Sequence, residues 1–319
     1  MSTDKKMLPA DPIVSIIASV CLILSSFTVT YLLTGTWEKI SRRRKLVSRD
    51  LHKPREKWGA KIGGLPAAFT LIGVLPATSI IPSIEAYPLI TVAVFSASMG
   101  LIDDFIGLRN IEKIVLSGVP FLVFHSSLKP FPPFHQDPFL QIVAATLFGI
   151  YVTNAFNTLA GFNGLEAGSS FIIYLALSIL LLARGDAYGI ILLISLSAIL
   201  AFLPYNWYPA KVFPGNILTF LLGGFIGFIS AQRGIYWPLI IMTIPHGFDF
   251  LLKLVSWGRT GKKIPARVEP DGILIPPPNK SLAWFLIKIG VNREYELVKV
   301  ILGIEVVLAV LSLLIYLPR

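Results

Sequence analysis

The chain has 319 residues, of which 54% are hydrophobic and 14% are charged, and its mean hydropathy is +0.72. Soluble domains carry about 25% charged residues, so this composition excludes a soluble globular enzyme and indicates an integral membrane protein. The net charge of +10 does not indicate nucleic-acid binding, because the basic residues cluster beside apolar segments. The single cysteine, Cys21, excludes an intrachain disulfide framework.

Apolar segments of membrane-spanning length recur along the chain, since about 20 apolar residues cross a bilayer. The first segment, Pro12 to Leu33, is too long for the apolar part of a signal peptide, and we expect it to be a retained helix. The expected fold is all-α, a polytopic membrane protein forming a single domain over residues 1–319. The sequence predicts ten spans, at 12–34, 63–82, 87–105, 112–128, 139–158, 165–183, 187–204, 216–232, 235–256 and 296–317.

The long loop before the last span, residues 257–295, is expected to form a small cytoplasmic cap. Asp271-Gly272 lies between short apolar runs and predicts a β-hairpin. Residues Ser281 to Ile289 predict a short amphipathic helix at the membrane interface.

Lysine and arginine are unevenly distributed between the loops, and the first predicted loop alone holds ten of the 28. The positive-inside rule therefore predicts that the odd-numbered loops are cytoplasmic and that both termini lie outside. The polar motifs fall on or beside these same loops, whereas a transporter more often places polar groups near mid-membrane. One-sided motifs favour an enzyme that joins a water-soluble substrate to a lipid, with a transporter as the alternative class.

Two adjacent carboxylates, Asp103 and Asp104, end the third predicted span and suit a divalent cation or a general base. Neighbouring helical residues point about 100° apart, so the two cannot play the same role. The structural alternative is an interfacial acidic pair that bridges Arg109 or Lys113. Lys113 is itself a candidate diphosphate ligand, or a simple positive-inside anchor.

The stretch 154–168, N-A-F-N-T-L-A-G-F-N-G-L-E-A-G, joins two predicted spans, where polar residues usually serve a site. Asn154 and Asn157 share a helix face, and amide oxygens can bind magnesium beside diphosphate oxygens. The glycines permit close approach to the backbone, and Asn163 offers a donor and an acceptor to a pyrimidine edge. The alternative is a loop of helix caps.

Three further features are candidates. In N-W-Y-P-A-K-V-F-P-G-N, residues 206–216, Asn216 is predicted to N-cap the next helix, whose N-terminus would favour phosphate. The basic run from Arg259 to Arg267 is either solvated charge or a set of ligands for a sugar diphosphate. His246 shares a helix face with Asp249, so it either touches the site or is an ordinary buried histidine.

These motifs resemble those of the polyprenyl-phosphate N-acetylhexosamine-1-phosphate transferases. The similar segments are D-L-H-K-P…G-G-L-P, D-D-F-I-G-L-R-N-I-E-K, T-N-A-F-N-T-L-A-G-F-N-G-L-E-A-G and N-W-Y-P-A-K-V-F-P-G-N. The sequences of these motifs are most similar to those of the archaeal and eukaryotic branch that uses UDP-N-acetylglucosamine and dolichyl phosphate. The resemblance implies transfer of N-acetylglucosamine-1-phosphate to a polyprenyl phosphate on the cytoplasmic face, with release of UMP. A muramoyl-pentapeptide or other hexosamine-1-phosphate transferase is the alternative.

The resemblance also implies residue roles: Asp103 and Asp104 are catalytic, and Asn157 and Asn216 bind Mg²⁺ or Mn²⁺. The family has an aspartate in its F-x-G-D motif where this chain has Asn216, and an amide offers an oxygen without charge. The candidate substrate-binding residues are Lys53, Lys113, Asn154, Gly161, Asn163, Glu166, Asn206, His246, Arg259, Lys262 and Lys263. The expected partners are a UDP-sugar and a polyprenyl phosphate in an archaeal-type prokaryotic cell membrane; a homodimer is left open.

Overall fold

The computed structural model describes residues 12–134, 136–260 and 265–318, with the backbone alone for 257–260. This part of the chain is mainly helical, and its strands form two short antiparallel hairpins. The helices are α1 (Pro12–Arg43), α2 (Leu65–Val74), α3 (Ala86–Ile106), α4 (Asn110–Val123), α5 (Pro138–Thr158), α6 (Leu165–Ala183), α7 (Tyr188–Asn206), α8 (Gly215–Arg233), α9 (Tyr236–Met242), α10 (Ile244–Thr260), α11 (Leu282–Lys288) and α12 (Glu294–Tyr316).

Every predicted span is helical over most of its length, but the count of ten crossings is not confirmed. Among the described residues, seven helices are long and apolar enough to cross a membrane, and an eighth span results if α9 and α10, bent by 68°, are one. The segment that begins with α2 ends at Ile80 after a 3-10 turn, because prolines interrupt it. Helix α4 has only 14 residues.

Helix α8 lies in the middle of the bundle, between α3 and α5, and 16 of its 19 residues are buried. Small residues allow this close packing. A Cβ atom at Gly223 would lie 2.8 Å from Phe156 of α5, and one at Gly227 would lie 3.3 Å from Val152. The middle of α8 therefore packs closely against α5.

A hairpin that the sequence analysis did not predict follows α1. Strands β1 (Val47–Arg49) and β2 (Trp58–Ala60) pair antiparallel in the basic first loop. The chain after β2 then runs beside the loop that precedes α8. Ala60 donates to the carbonyl of Lys211 and accepts from the N–H of Phe213, both at 2.9 Å.

The pair Gly63-Gly64 extends this contact between the two loops. Gly63 donates to the carbonyl of Phe213 at 2.8 Å, and Gly64 donates to that of Pro214 at 2.7 Å. A Cβ atom at Gly63 would overlap the side chain of Val212. The two glycines therefore allow the first loop to fix the entry to α8.

The loop between α10 and α12 forms the expected cap. Strands β3 (Arg267–Val268) and β4 (Leu274–Ile275) confirm the hairpin at Asp271-Gly272. Helix α11 confirms the predicted short helix, and the hydroxyl of Ser281 accepts from the N–H of Trp284 at its start. Apolar side chains of the cap share a small core with the loop after α5 and with α12, including Leu159, Phe162, Leu282, Leu286 and Leu297.

Candidate active site

A cavity of about 500 Å³ opens at the end of the bundle where the cap, the first hairpin and the start of α8 meet. Its walls come from the β1–β2 hairpin, the loop after α5, the entry to α8, helix α10 and the cap. The structure thus brings the separate polar motifs together at one end of the bundle. The predicted residues that line the cavity are Asn157, Gly161, Asn163, Glu166, Asn206 and Asn216.

The carboxylate of Asp104 lies behind this cavity, at the start of α8. It accepts from the backbone N–H of Asn216 at 2.8 Å and of Ile217 at 3.1 Å. Gly100, one turn earlier in α3, allows this approach, because a Cβ atom there would lie 2.5 Å from the Cα of Ile217. The prediction that Asn216 caps α8 is wrong: the helix begins at Gly215, and Asp104 supplies the capping acceptor.

The neighbouring carboxylate has different partners. Asp103 lies 2.6 Å from the ammonium of Lys113 and accepts from the N–H of Leu108 at 2.8 Å. The side chain of Asp103 is buried. Of its two predicted partners, Lys113 forms the ion pair, and Arg109 pairs with Glu112. The two aspartates therefore have different surroundings, as the helical geometry predicted. Neither Asp103 nor Lys113 is among the residues that line the cavity.

The side chains of Asn157 and Asn216 are in direct contact in the cavity wall. The Asn157 amide nitrogen donates to Asn216 Oδ1 at 2.8 Å and to the hydroxyl of Thr219 at 2.9 Å. The Asn157 amide oxygen takes part in neither bond. Thr219 was missed by the sequence analysis, because a threonine in a buried apolar helix carries no local signal.

This group of oxygens fits a hard cation. Amide and hydroxyl oxygens suit Mg²⁺, which also binds phosphate oxygens of a substrate. The donors are neutral, and a carboxylate, that of Asp104, accepts from the backbone N–H of Asn216. A bound cation would therefore obtain its anionic ligands mainly from the substrate.

Asn154 lies one turn before Asn157, but its side chain contacts α4 and not the cavity. Its amide nitrogen donates to the hydroxyl of Ser117 in α4 at 2.7 Å and to the carbonyl of Ile150 at 2.8 Å. It is buried and is not part of the cavity wall. The structure therefore gives Asn154 a contact that joins α5 to α4.

Asn163 is held by two acidic residues from distant parts of the chain. Its amide nitrogen donates to Asp50 at 2.9 Å, and its backbone N–H donates to Glu294 at 2.9 Å. The buried ammonium of Lys53 contacts both carboxylates, that of Asp50 at 3.2 Å. Lys53 lies in an ion-pair network that fixes the loop carrying Asn163, and its predicted substrate contact stays a prediction.

The same cluster contains His52. Ligand atoms of Asp50, His52 and Glu294 lie within 4.8 Å of one another, a spacing compatible with a metal ion. The Lys53 ammonium, however, already contacts both carboxylates, and a cation would have to displace it. The His52 ring stacks on Phe162 at 4.5 Å, and burial lowers its pKa to about 4. This cluster therefore does not fit a metal centre.

Two other predicted residues contribute buried oxygens to the cavity wall. Glu166 accepts from the N–H of Gly161 at 2.8 Å, which closes the glycine loop, and its second oxygen has no partner within the described residues. Asn206 donates to the carbonyl of Val212 at 3.1 Å, and its own oxygen is likewise unpaired there. Each oxygen can accept a hydrogen bond from a bound ligand.

His246 lies apart from the cavity. It is buried deeper, 3.0 Å from the hydroxyl of Ser169 and 3.3 Å from Glu305. Its helix neighbour Asp249 reaches the cavity instead. The Arg259 side chain, Lys262 and Lys263 lie outside the described residues, so the predicted role of the basic run stays a prediction.

Comparisons with known proteins point to the same residues. The profile of glycosyl transferase family 4 matches residues 86–233, which include both aspartates, the asparagine-rich loop and Asn216. A protein of Saccharolobus solfataricus, provisionally named UDP-N-acetylglucosamine–dolichyl-phosphate N-acetylglucosaminephosphotransferase, is 30% identical over 94% of this chain and 97% of its own length.

Two further relatives extend the comparison. A protein of Sulfolobus acidocaldarius with the same provisional name is 29% identical over 94% of this chain and 97% of its own length. The phospho-N-acetylmuramoyl-pentapeptide-transferase of Limosilactobacillus reuteri is 26% identical over 78% of this chain and 86% of its own length. The similarity therefore covers most of the chain.

Proposed function

The chain belongs to the polyprenyl-phosphate N-acetylhexosamine-1-phosphate transferases of glycosyl transferase family 4, and we propose that its substrates are UDP-N-acetylglucosamine and a dolichyl-type polyprenyl phosphate. The reaction transfers N-acetylglucosamine-1-phosphate to the lipid and releases UMP. The observation that carries the proposal is the contact between Asn157 and Asn216 in the wall of the cavity. This contact brings the motif that contains Asn157 and the motif that contains Asn216 together in a part of the cavity that suits a diphosphate.

The chemistry is an attack by an acceptor phosphate oxygen on the β-phosphorus of the nucleotide sugar. A new oxygen–phosphorus bond forms, and the bond from the β-phosphorus to the bridging oxygen breaks, so that the electron pair leaves with UMP. The second pKa of a phosphate monoester is about 6, so much of the acceptor is already dianionic at neutral pH. The protein therefore contributes mainly positioning and charge neutralisation.

The ion pair of Asp103 and Lys113 supports a positioning role. One oxygen of the aspartate forms an ion pair with the lysine ammonium, and the other accepts from a backbone N–H. An ammonium has three donors. In this proposal Asp103 orients Lys113, and a remaining donor of the lysine contacts a phosphate oxygen of the substrates.

Mg²⁺ when bound neutralises charge on the diphosphate. In this proposal the residues that would hold it are Asn157 and Asn216, whose amide oxygens suit Mg²⁺ beside substrate phosphate. Asp104 adds a negative charge next to this pair while it fixes the first turn of α8. The amide at position 216 makes the contribution of Asp104 more important than it would be beside an aspartate.

The proposed side of the membrane is cytoplasmic, because the basic first loop and the cap lie at the same end as the cavity. A cysteine placed at Ser48 should react with an impermeant reagent only from the cytoplasmic side. Reaction only from the outer side would contradict this orientation.

The relative from L. reuteri favours one competing substrate, a UDP-muramoyl-pentapeptide. The purified protein should therefore be assayed for UMP release with Mg²⁺, a polyprenyl phosphate and each of the two nucleotide sugars. Release from UDP-N-acetylglucosamine alone supports the proposal. Release from the pentapeptide substrate alone would replace it, and no release from either would favour a binding or transport role.

A further inference from the structure

Lys253 of α10 reaches the cavity from the bent span, where a charged side chain carries a high energetic cost unless it serves a purpose. Its ammonium lies 2.7 Å from Asp249 Oδ2 and contacts the carbonyl of Thr158, at the end of α5. Its side chain is 21% exposed, whereas that of Asp249 is 2% exposed. The ammonium is therefore held from two sides at the cavity wall.

The partner carboxylate fixes Lys253 in turn. The other oxygen of Asp249 accepts from the backbone N–H of Leu282 at 2.9 Å, at the start of cap helix α11. Thus α5, α10 and the cap together define the position of one ammonium group. Such a group loses little conformational freedom on binding a ligand.

The number of donors leaves one for a ligand. An ammonium has three N–H donors: one donates to the carbonyl of Thr158, and the ion pair with Asp249 engages at most one more. The remaining donor needs an acceptor, and the side chain is partly exposed at the cavity. Phosphate oxygens are acceptors that a lysine ammonium, as a mobile point charge, commonly binds.

Other described cations of the cavity wall are held less firmly. Arg49 is 52% exposed and pairs with Glu56 at 3.4 Å, and Lys280 is exposed on the cap. The amides of Asn157 and Asn216 carry no charge. A diphosphate in this cavity therefore has Lys253 as its most firmly positioned cationic partner among the described residues.

We propose that Lys253 binds a phosphate oxygen in this cavity. The inference rests on the proposed function and adds a residue that no family motif identified. The phosphate belongs either to the nucleotide diphosphate or to the lipid acceptor. The contact has the same chemistry in both cases. Removal of the ammonium should weaken binding of the nucleotide in the first case and of the polyprenyl phosphate in the second.

The test compares Lys253→Met with Lys253→Arg, and uses Lys288→Met on the exposed side of α11 as the matched control. UDP binding is measured by titration calorimetry with Mg²⁺, uridine binding by displacement, and KM for polyprenyl phosphate by UMP release. We expect Lys253→Met to weaken UDP about tenfold, equivalent to about 1.4 kcal/mol, with uridine unchanged. Lys253→Arg should recover part of the affinity, and Lys288→Met should match the wild type.

The other outcomes are distinct. Unchanged UDP binding with about a tenfold higher KM for polyprenyl phosphate assigns the contact to the lipid phosphate and also supports the proposal. Unchanged values for both ligands overturn it. An equal loss of uridine and UDP affinity also overturns it, because such a loss indicates a structural role for Lys253. In that case the double variant Asp249→Asn with Lys253→Met should recover affinity for both ligands. A wild type that binds neither uridine nor UDP contradicts the proposed function itself.

Discussion

The carboxylate of Asp104 binds the backbone N–H of Asn216, 112 residues further along the chain, at 2.8 Å. This contact ties the end of α3 to the start of α8, and the side chain of Asn216 then meets Asn157 of α5. The two adjacent aspartates therefore make different contacts: Asp103 pairs with Lys113, and Asp104 binds the start of the helix that carries Asn216.

We predict that Asp104→Asn, which removes the negative charge but keeps an acceptor oxygen, reduces activity more than it reduces stability. Asparagine keeps one acceptor oxygen for the N–H of Asn216 but places an amide NH₂ opposite the N–H of Ile217, so the midpoint of thermal unfolding should fall, by less than in Asp104→Ala. UMP release should fall at least tenfold, because the amide pair loses its neighbouring negative charge. Asp104→Ala should lose both activity and about 1 kcal/mol of stability. Full turnover in Asp104→Asn would reduce this residue to a helix cap.

The close approach of α3 to α8 should tolerate no side chain at position 100. In Gly100→Ala the new methyl group meets the backbone of α8, and overpacking of this kind costs about 1–3 kcal/mol. Both the unfolding midpoint and UMP release should fall. Gly303→Ala in α12 is the control, since a Cβ atom there meets nothing within 4 Å. Equal activity of the two variants would show that the contact is not needed.

Asn216→Asp should shift the magnesium dependence. The new carboxylate can still accept from Asn157, and opposite charges near a protein surface interact by roughly 4 kcal/mol before desolvation is subtracted. A net gain near 1.4 kcal/mol would lower the half-saturating Mg²⁺ concentration about tenfold. The sugar preference should not change. A magnesium titration identical to that of the wild type, with activity retained, would remove Asn216 from the metal site.

The stability of the cluster around Asn163 should depend on pH through His52. Burial lowers its pKa from 6.5 to about 4, so the unfolded chain binds a proton more readily than the folded protein between these values. The contribution of His52 is fully present above pH 6.5 and declines as the pH falls towards 4. His52→Gln should therefore lose less stability than the wild type between pH 7 and pH 5, measured by thermal unfolding. The exposed His125→Gln is the control, and identical curves for all three proteins would contradict the prediction.

Much of this architecture could be predicted from local patterns. Apolar length identified the helices, and Asp271-Gly272 identified the cap hairpin, because these features depend on neighbouring residues. The β1–β2 hairpin was missed, since its three-residue strands lie in a charged loop without clear alternation. The count of ten crossings is not confirmed, because prolines shorten the α2 segment.

The partners within the site could not be predicted in the same way. Asp104 caps a helix far away in sequence, and Lys53 pairs with Glu294 at the start of the last helix. Such contacts depend on tertiary packing, which leaves no spacing signal. Lys253 was not among the predicted site residues, because an isolated lysine near a span end is usually an anchor.

The most direct test of the central claim follows the β-phosphorus. UDP-N-acetylglucosamine labelled with ³²P at the β-phosphate is incubated with the purified protein, Mg²⁺ and polyprenyl phosphate. The account predicts that the label appears in the lipid in equal amount to unlabelled UMP, and that Asp103→Asn shows less than about a tenth of this transfer, a loss of at least 1.4 kcal/mol in transition-state stabilisation. Label that remains in UDP, or that is released as free phosphate, would contradict sugar-phosphate transfer.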